Sequence, residues 1–80
     1  RAAYPADHPR VGQTLNNLTS DLDAVGLAEE ALAMSDAALD ILTARLGATH
    51  PSTAAAWNNR GMVLAALGRP REALDAYDRA

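Results

Sequence analysis

Apolar residues recur along residues 8–25 at intervals of three and four, which predicts an amphipathic helix. They occupy positions i, i+4, i+7, i+11 and i+14, a period of 3.6 residues, and the opposite side of this helix is polar. Gly26 follows, and glycine readily adopts the left-handed conformation that ends many helices. The apolar members of the pattern are Val11, Leu15, Leu18, Leu22 and Val25.

A second helix is predicted over residues 27–46, and apolar residues occupy more than one of its sides. A helix with this pattern has to be covered by neighbours from several directions. Gly47 follows its last residue, where a helix stop is expected. The apolar residues are Ala31, Ala38 and Leu42 on one side, Leu32, Leu39 and Leu46 on another, with Met34 and Ile41 beside them.

Two further helices are predicted over residues 51–67 and 70–80. Pro51 and Pro70 fall in their first turns, where a missing backbone N–H costs nothing. Because the connections between the four helices are short, consecutive helices should be antiparallel neighbours. The expected fold is all-α, and we expect eight residues to be mostly buried: Leu18, Leu22, Ala31, Ala38, Trp57, Leu64, Ala73 and Tyr77.

The second half of the chain repeats the first at an offset of 42 residues. His50-Pro51 aligns with His8-Pro9, and Asn58-Asn59 aligns with Asn16-Asn17. Gly68, Leu64 and Asp78 align with Gly26, Leu22 and Asp36, and Glu72-Ala73-Leu74 aligns with Glu30-Ala31-Leu32. An internal repeat of this length indicates stacked supersecondary units rather than one irregular core.

Composition narrows the classes of function. The 80-residue chain is 49% hydrophobic and 21% charged, with a net charge of −3 and no cysteine. A negative chain offers no electrostatic basis for binding nucleic acid or anionic membrane. Without cysteine there is neither a disulfide framework nor a thiolate metal site, which fits the cytoplasmic location that we expect. No apolar run approaches the 18 residues that a membrane span needs.

The second repeat resembles a tetratricopeptide repeat, through Trp57, Asn59, Gly61, Leu64, Gly68, Glu72-Ala73, Tyr77 and Ala80. The ordinary repeat has 34 residues, whereas this one has 42. The elements His-Pro, Leu-Asn-Asn-Leu and Glu-Glu-Ala-Leu are similar to the long repeats of kinesin light chains and their bacterial relatives. The resemblance implies an α-solenoid of two antiparallel helix pairs with right-handed superhelical stacking.

Three departures from this pattern carry structural expectations. Ser35 stands where the second repeat has Tyr77, so we expect looser packing around Ser35, and Thr19 replaces Gly61. Arg60 stands where the first repeat has the apolar Leu18, so its side chain must reach solvent or a carboxylate.

The resemblance also implies a binding surface, because the first helices of successive tetratricopeptide repeats line a concave groove. Asparagine carries both a donor and an acceptor, so it can hold the backbone of an extended peptide. The alternative is that one asparagine of each pair ties neighbouring helices together. The candidate groove residues are Gln13, Asn16, Asn17, Ser20, Asp23, Asn58, Asn59 and Met62.

Other candidate chemistry favours structural roles. His8 and His50 lie one repeat apart at helix starts, with no regularly placed second ligand, so we expect no metal site. Glu29, Glu30, Glu72 and Asp75 lie at the starts of second helices, where carboxylates complement the helix dipole. Trp57 and Tyr77 occupy core-type positions rather than a stacking platform. We therefore expect no catalytic residue, no cofactor and no enzyme.

The leading interpretation is a protein–protein interaction module that binds a peptide or a partner helix. The alternative is a structural or regulatory spacer in a larger protein, for example one that hydrolyses nucleotides. We expect residues 1–7 to be a remnant of a preceding repeat or disordered, residues 8–49 to form the first repeat, and 50–80 a truncated second one. The open faces of the two repeats predict self-association, most simply as a two-fold dimer.

Overall fold

A computed structural model of the chain describes residues 8–80, and these form four helices and no strand. The helices are α1 (Pro9–Ala24), α2 (Ala28–Leu46), α3 (Pro51–Ala66) and α4 (Pro70–Arg79). Every predicted boundary agrees with the structure to within one residue, and the all-α prediction is confirmed. The remnant expected at residues 1–7 lies outside the described residues.

The two histidines cap the helices that begin each repeat. Nδ1 of His8 accepts a hydrogen bond from the backbone N–H of Arg10 at 3.0 Å, and His50 accepts one from Ser52 at the same distance. Each bond satisfies an amide that a helix start would otherwise leave without a partner. The backbone angles of the two caps agree to within 1°. The expected role at a helix start is confirmed for both residues.

The helices pack as two hairpins laid side by side. α1 packs on α2, α3 packs on α4, and α3 also contacts both helices of the first hairpin. α2 is thus covered from two directions, as its apolar pattern predicts. Two buried clusters hold the hairpins together, and Trp57 contacts both of them while staying half-buried itself. The clusters are Leu39, Leu42 and Ala56, and Leu64, Ala73 and Ala76.

Glycines set how closely the helices of each hairpin approach. A Cβ at Gly61 would lie 2.7–2.9 Å from ring atoms of Tyr77, so the ring of α4 lies directly over the backbone of α3. A Cβ at Gly12 would lie 2.9 Å from Cγ of the fully buried Leu42. Neither distance leaves room for a side chain, so both helix pairs depend on the missing Cβ.

In the first hairpin, the residue that corresponds to the glycine is larger, and the residue that corresponds to the tyrosine is smaller. Thr19 and Ser35 stand at the repeat positions of Gly61 and Tyr77, and both are 0% exposed. The hydroxyl of Thr19 donates to the Leu15 carbonyl oxygen at 2.8 Å, and that of Ser35 donates to the Leu32 oxygen at 2.8 Å. A larger residue on one helix thus accompanies a smaller one on the other. The side chain of Ser35, where looser packing is expected, is fully buried.

Two of the eight residues expected to be mostly buried are not. Leu18 and Tyr77 are each 40% exposed. The ring of Tyr77 packs with one side over α3 at Gly61 and is exposed elsewhere, and Leu18 lies on α1. Periodicity correctly identifies the apolar side of each helix, but it does not show how much of that side a neighbour covers.

Replacing Gly61 by threonine tests the paired sizes. Gly61→Thr should destabilise the fold by about 1–3 kcal/mol, because the new side chain overpacks against Tyr77. Adding Tyr77→Ser copies the first hairpin and should recover at least half of that loss, a coupling that a double-mutant cycle in urea unfolding measures. Additive effects of the two substitutions would contradict the proposed contact.

Candidate binding surface

The eight predicted groove residues lie on α1 and α3, the first helices of the two hairpins, which contact each other. We refer to this set as the α1–α3 face. Four of its members are exposed: Gln13, Asn17, Asn58 and Met62. The other four are half-buried: Asn16, Ser20, Asp23 and Asn59.

Three hydrogen bonds join the two helices at this face. Nδ2 of Asn59 donates to Oδ1 of Asn16 at 2.9 Å and to the backbone oxygen of Asn16 at 3.3 Å. Nε2 of Gln13 donates to Oγ of Ser52 at 3.4 Å. One asparagine of each pair therefore ties neighbouring helices, as the alternative reading of the sequence proposes.

The remaining asparagine of each pair faces solvent. Asn17 and Asn58 are exposed, and neither side chain has a hydrogen-bond partner among residues 8–80. They lie next to the Asn16–Asn59 bond in sequence, one on α1 and one on α3. The face thus presents two carboxamides, each able to donate and to accept, on two helices held together by the two engaged carboxamides.

Two clefts lie outside this face. A cleft of about 400 Å³ opens between α2 and α3, and a second of about 330 Å³ between α3 and α4. Trp57 and Arg60 line both clefts, and no member of the α1–α3 face lines either.

Arg60 bridges the two hairpins beside the first cleft. Its Nη1 donates to the carboxylate of Asp36 and, at 3.2 Å, to the hydroxyl of Ser35. The expectation that Arg60 reaches a carboxylate is confirmed. In the second cleft the guanidinium of Arg79 lies 5.2 Å from the centre of the Trp57 ring, within the range of cation–π attraction, and also donates to Asp75.

Glu72 in the second cleft is paired with the residue that precedes α4. Both carboxylate oxygens of Glu72 accept hydrogen bonds from Arg69, at 2.6 and 2.8 Å. These bonds hold the pKa of Glu72 below the usual value of a glutamate and raise the pKa of Arg69. Glu72 is exposed, and its lowered pKa keeps it ionised at neutral pH, so it lacks the raised pKa of a buried general acid.

The described residues offer no other candidate chemistry of the kinds considered. Within 8–80 there is no group of three or more histidine, aspartate or glutamate side chains that could hold a metal ion. None of the four helices is long and apolar enough to cross a bilayer.

Repeated helix hairpins that stack through small residues define an α-solenoid, in which each unit contacts only its neighbours. A family model described as tetratricopeptide repeat matches residues 10–80. The chain therefore belongs to the tetratricopeptide repeat family. A comparison with curated proteins found no match, and a comparison with solved structures found none.

Sequence reasoning missed the clefts and the role of Trp57 in them. Trp57 was expected in the core, whereas it is half-buried between two clusters and lines both clefts. The available signal was the spacing of Trp57 and Arg60, which puts an aromatic ring and a guanidinium one turn apart on the same side of α3.

Replacing Asn59 by aspartate tests the tie between α1 and α3. The substitution removes the donor and places a carboxylate oxygen opposite two oxygens of Asn16, which should cost about 1–3 kcal/mol of stability. Asn58→Asp makes the same chemical change at an exposed neighbour and should stay within about 0.5 kcal/mol. Urea unfolding of both variants measures the difference, and equal losses would contradict the assignment.

Proposed function

We propose that this segment is a protein-interaction module that binds an extended peptide across the α1–α3 face. Tetratricopeptide repeats generally mediate protein–protein interactions, which sets the class of partner. The single observation that supports the finer proposal is that the two asparagines of each pair differ in their contacts. Asn16 and Asn59 join the helices, while their neighbours Asn17 and Asn58 present unengaged amides, one on α1 and one on α3.

The chemistry of these side chains suits a peptide backbone. A carboxamide can accept from a backbone N–H and donate to a backbone carbonyl at the same time. Two of them on adjacent helices could hold a backbone at two points without requiring a particular side chain. The exposed Met62 offers a flexible apolar contact next to them, of the kind common at adaptable binding surfaces.

The engaged pair makes the surface rigid before a ligand arrives. Asn59 on α3 is fixed to Asn16 on α1, so the two helices keep their spacing without help from a ligand. A preorganised surface loses less entropy on binding than one that must be ordered. The proposed binding mode is therefore docking on a preformed face rather than folding around a ligand.

A selection from a random peptide display library, followed by isothermal titration calorimetry of one selected peptide, tests this proposal. Asn17→Ala and Asn58→Ala should each weaken binding about 2–10-fold, the loss of one or two hydrogen bonds. Far-ultraviolet circular dichroism should show the same helix content in both variants as in the parent chain.

Asp40→Ala is the matched control, since Asp40 is exposed and lines the cleft between α2 and α3. It should leave the affinity unchanged. If Asp40→Ala weakens peptide binding and the asparagine variants do not, the ligand binds in the cleft instead of on the α1–α3 face. If selection yields no binder to the α1–α3 face, the alternative of a structural or regulatory spacer gains over the proposed function.

A further inference from the structure

The two outer faces of the hairpin stack carry a repeat-related set of uncovered residues. Within the chain, Arg60 of the second hairpin contacts Ser35 and Asp36 of the first. Shifted by 42 residues, the same relation pairs Leu18 of a following hairpin with residues 77 and 78 of α4. Leu18 and Tyr77 are the two residues that were expected to be buried and are each 40% exposed.

A second apolar position follows the same rule. Leu32 of α2 packs against Leu64, Ala73 and Ala76 of the second hairpin and is thereby half-buried. Its counterpart one repeat later is Leu74, which is 66% exposed. A hairpin stacked on the second hairpin, as the second stacks on the first, would cover Leu74.

The asparagines complete the pattern. The internal joint is closed by Asn59 donating to Asn16. Their counterparts at the next joint are Asn17 of the incoming hairpin and Asn58 of α3, and both are exposed. At the next joint Asn17 of the incoming hairpin would thus be the donor, and Asn58 of α3 would be the acceptor.

We infer that the α3–α4 face binds the α1–α2 face of a second copy of this chain, in the same register in which the two internal hairpins stack. The occupant follows from the structure, because the interface between the two hairpins is the template and the first hairpin carries the matching residues. Where the internal joint brings Arg60 to Ser35, the joint between copies brings Leu18 to Tyr77. A polar contact is replaced by an apolar one.

This arrangement is heterologous, since different faces of the two copies meet, and it does not close on itself as a two-fold dimer does. Self-association should therefore continue past two copies as concentration rises. It also uses Asn17 and Asn58, so a peptide held by those amides excludes the joint. The inference does not rest on the proposed peptide binding, since it is tested without peptide.

Substitution of Leu18 tests the joint. Leu18→Asp removes the apolar contact and brings a carboxylate towards Asp78, which corresponds to Asp36. In sedimentation velocity over a hundredfold concentration range, this variant should associate at least about tenfold more weakly than the parent. Leu18 is partly exposed, so the variant should fold, and its thermal unfolding by circular dichroism checks this.

Combining Leu18→Asp with Asp78→Arg gives each joint between copies an ion pair. This pair stands at the positions that Arg60 and Asp36 occupy in the internal joint. The double variant should regain association to within about threefold of the parent, and Asp78→Arg alone should change it by no more than that. Ala48→Asp, an exposed position in the α2–α3 connection, adds the same charge elsewhere and should have no effect.

Three outcomes would overturn the inference. The first is a parent chain that stays monomeric at every concentration. The second is association that stops at a dimer. The third is a Leu18→Asp variant whose loss of association Asp78→Arg does not repair, as expected if α1 meets α1 across a two-fold axis.

Discussion

The architecture depends on the close approach of each pair of helices at a residue with little or no side chain. Tyr77 lies over the backbone of Gly61, and Leu42 lies against Gly12, at distances that exclude a Cβ. These contacts bring each pair of helices together. α3 of the second hairpin contacts both α1 and α2, and at its contact with α1 the side chain of Asn59 meets Asn16.

The helices and the repeat could be predicted from the sequence because their signals are local. Histidine and proline mark two helix starts, glycines mark the ends, and a 42-residue offset shows that the second hairpin copies the first. The exposure of Leu18 and Tyr77 could not be predicted in this way. Periodicity shows which side of a helix is apolar, and only the arrangement of neighbouring elements decides whether that side is covered.

The candidate site shows the same limit. Asn16 and Asn17 are adjacent in sequence but point about 100° apart around α1, and so do Asn58 and Asn59 around α3. Which member of each pair ties the helices depends on how the hairpins face each other, and this is a property of packing. The structure assigns the tie to Asn16 and Asn59. Peptide binding and stacking of copies would then compete for Asn17 and Asn58, so a peptide would shift the equilibrium towards single copies.

The central claim is that one spatial relation between hairpins operates both within a chain and between copies. Spin labels at residues 24 and 66 test it directly, since both alanines are exposed, lie at the ends of α1 and α3 and are related by the repeat. A chain labelled at both positions and diluted with unlabelled chain gives the intramolecular distance by pulsed electron–electron double resonance. A mixture of chains labelled only at 24 with chains labelled only at 66 should give the same distance between copies. A distance in chains labelled only at 24, with none at the intramolecular value in the mixture, would contradict the account.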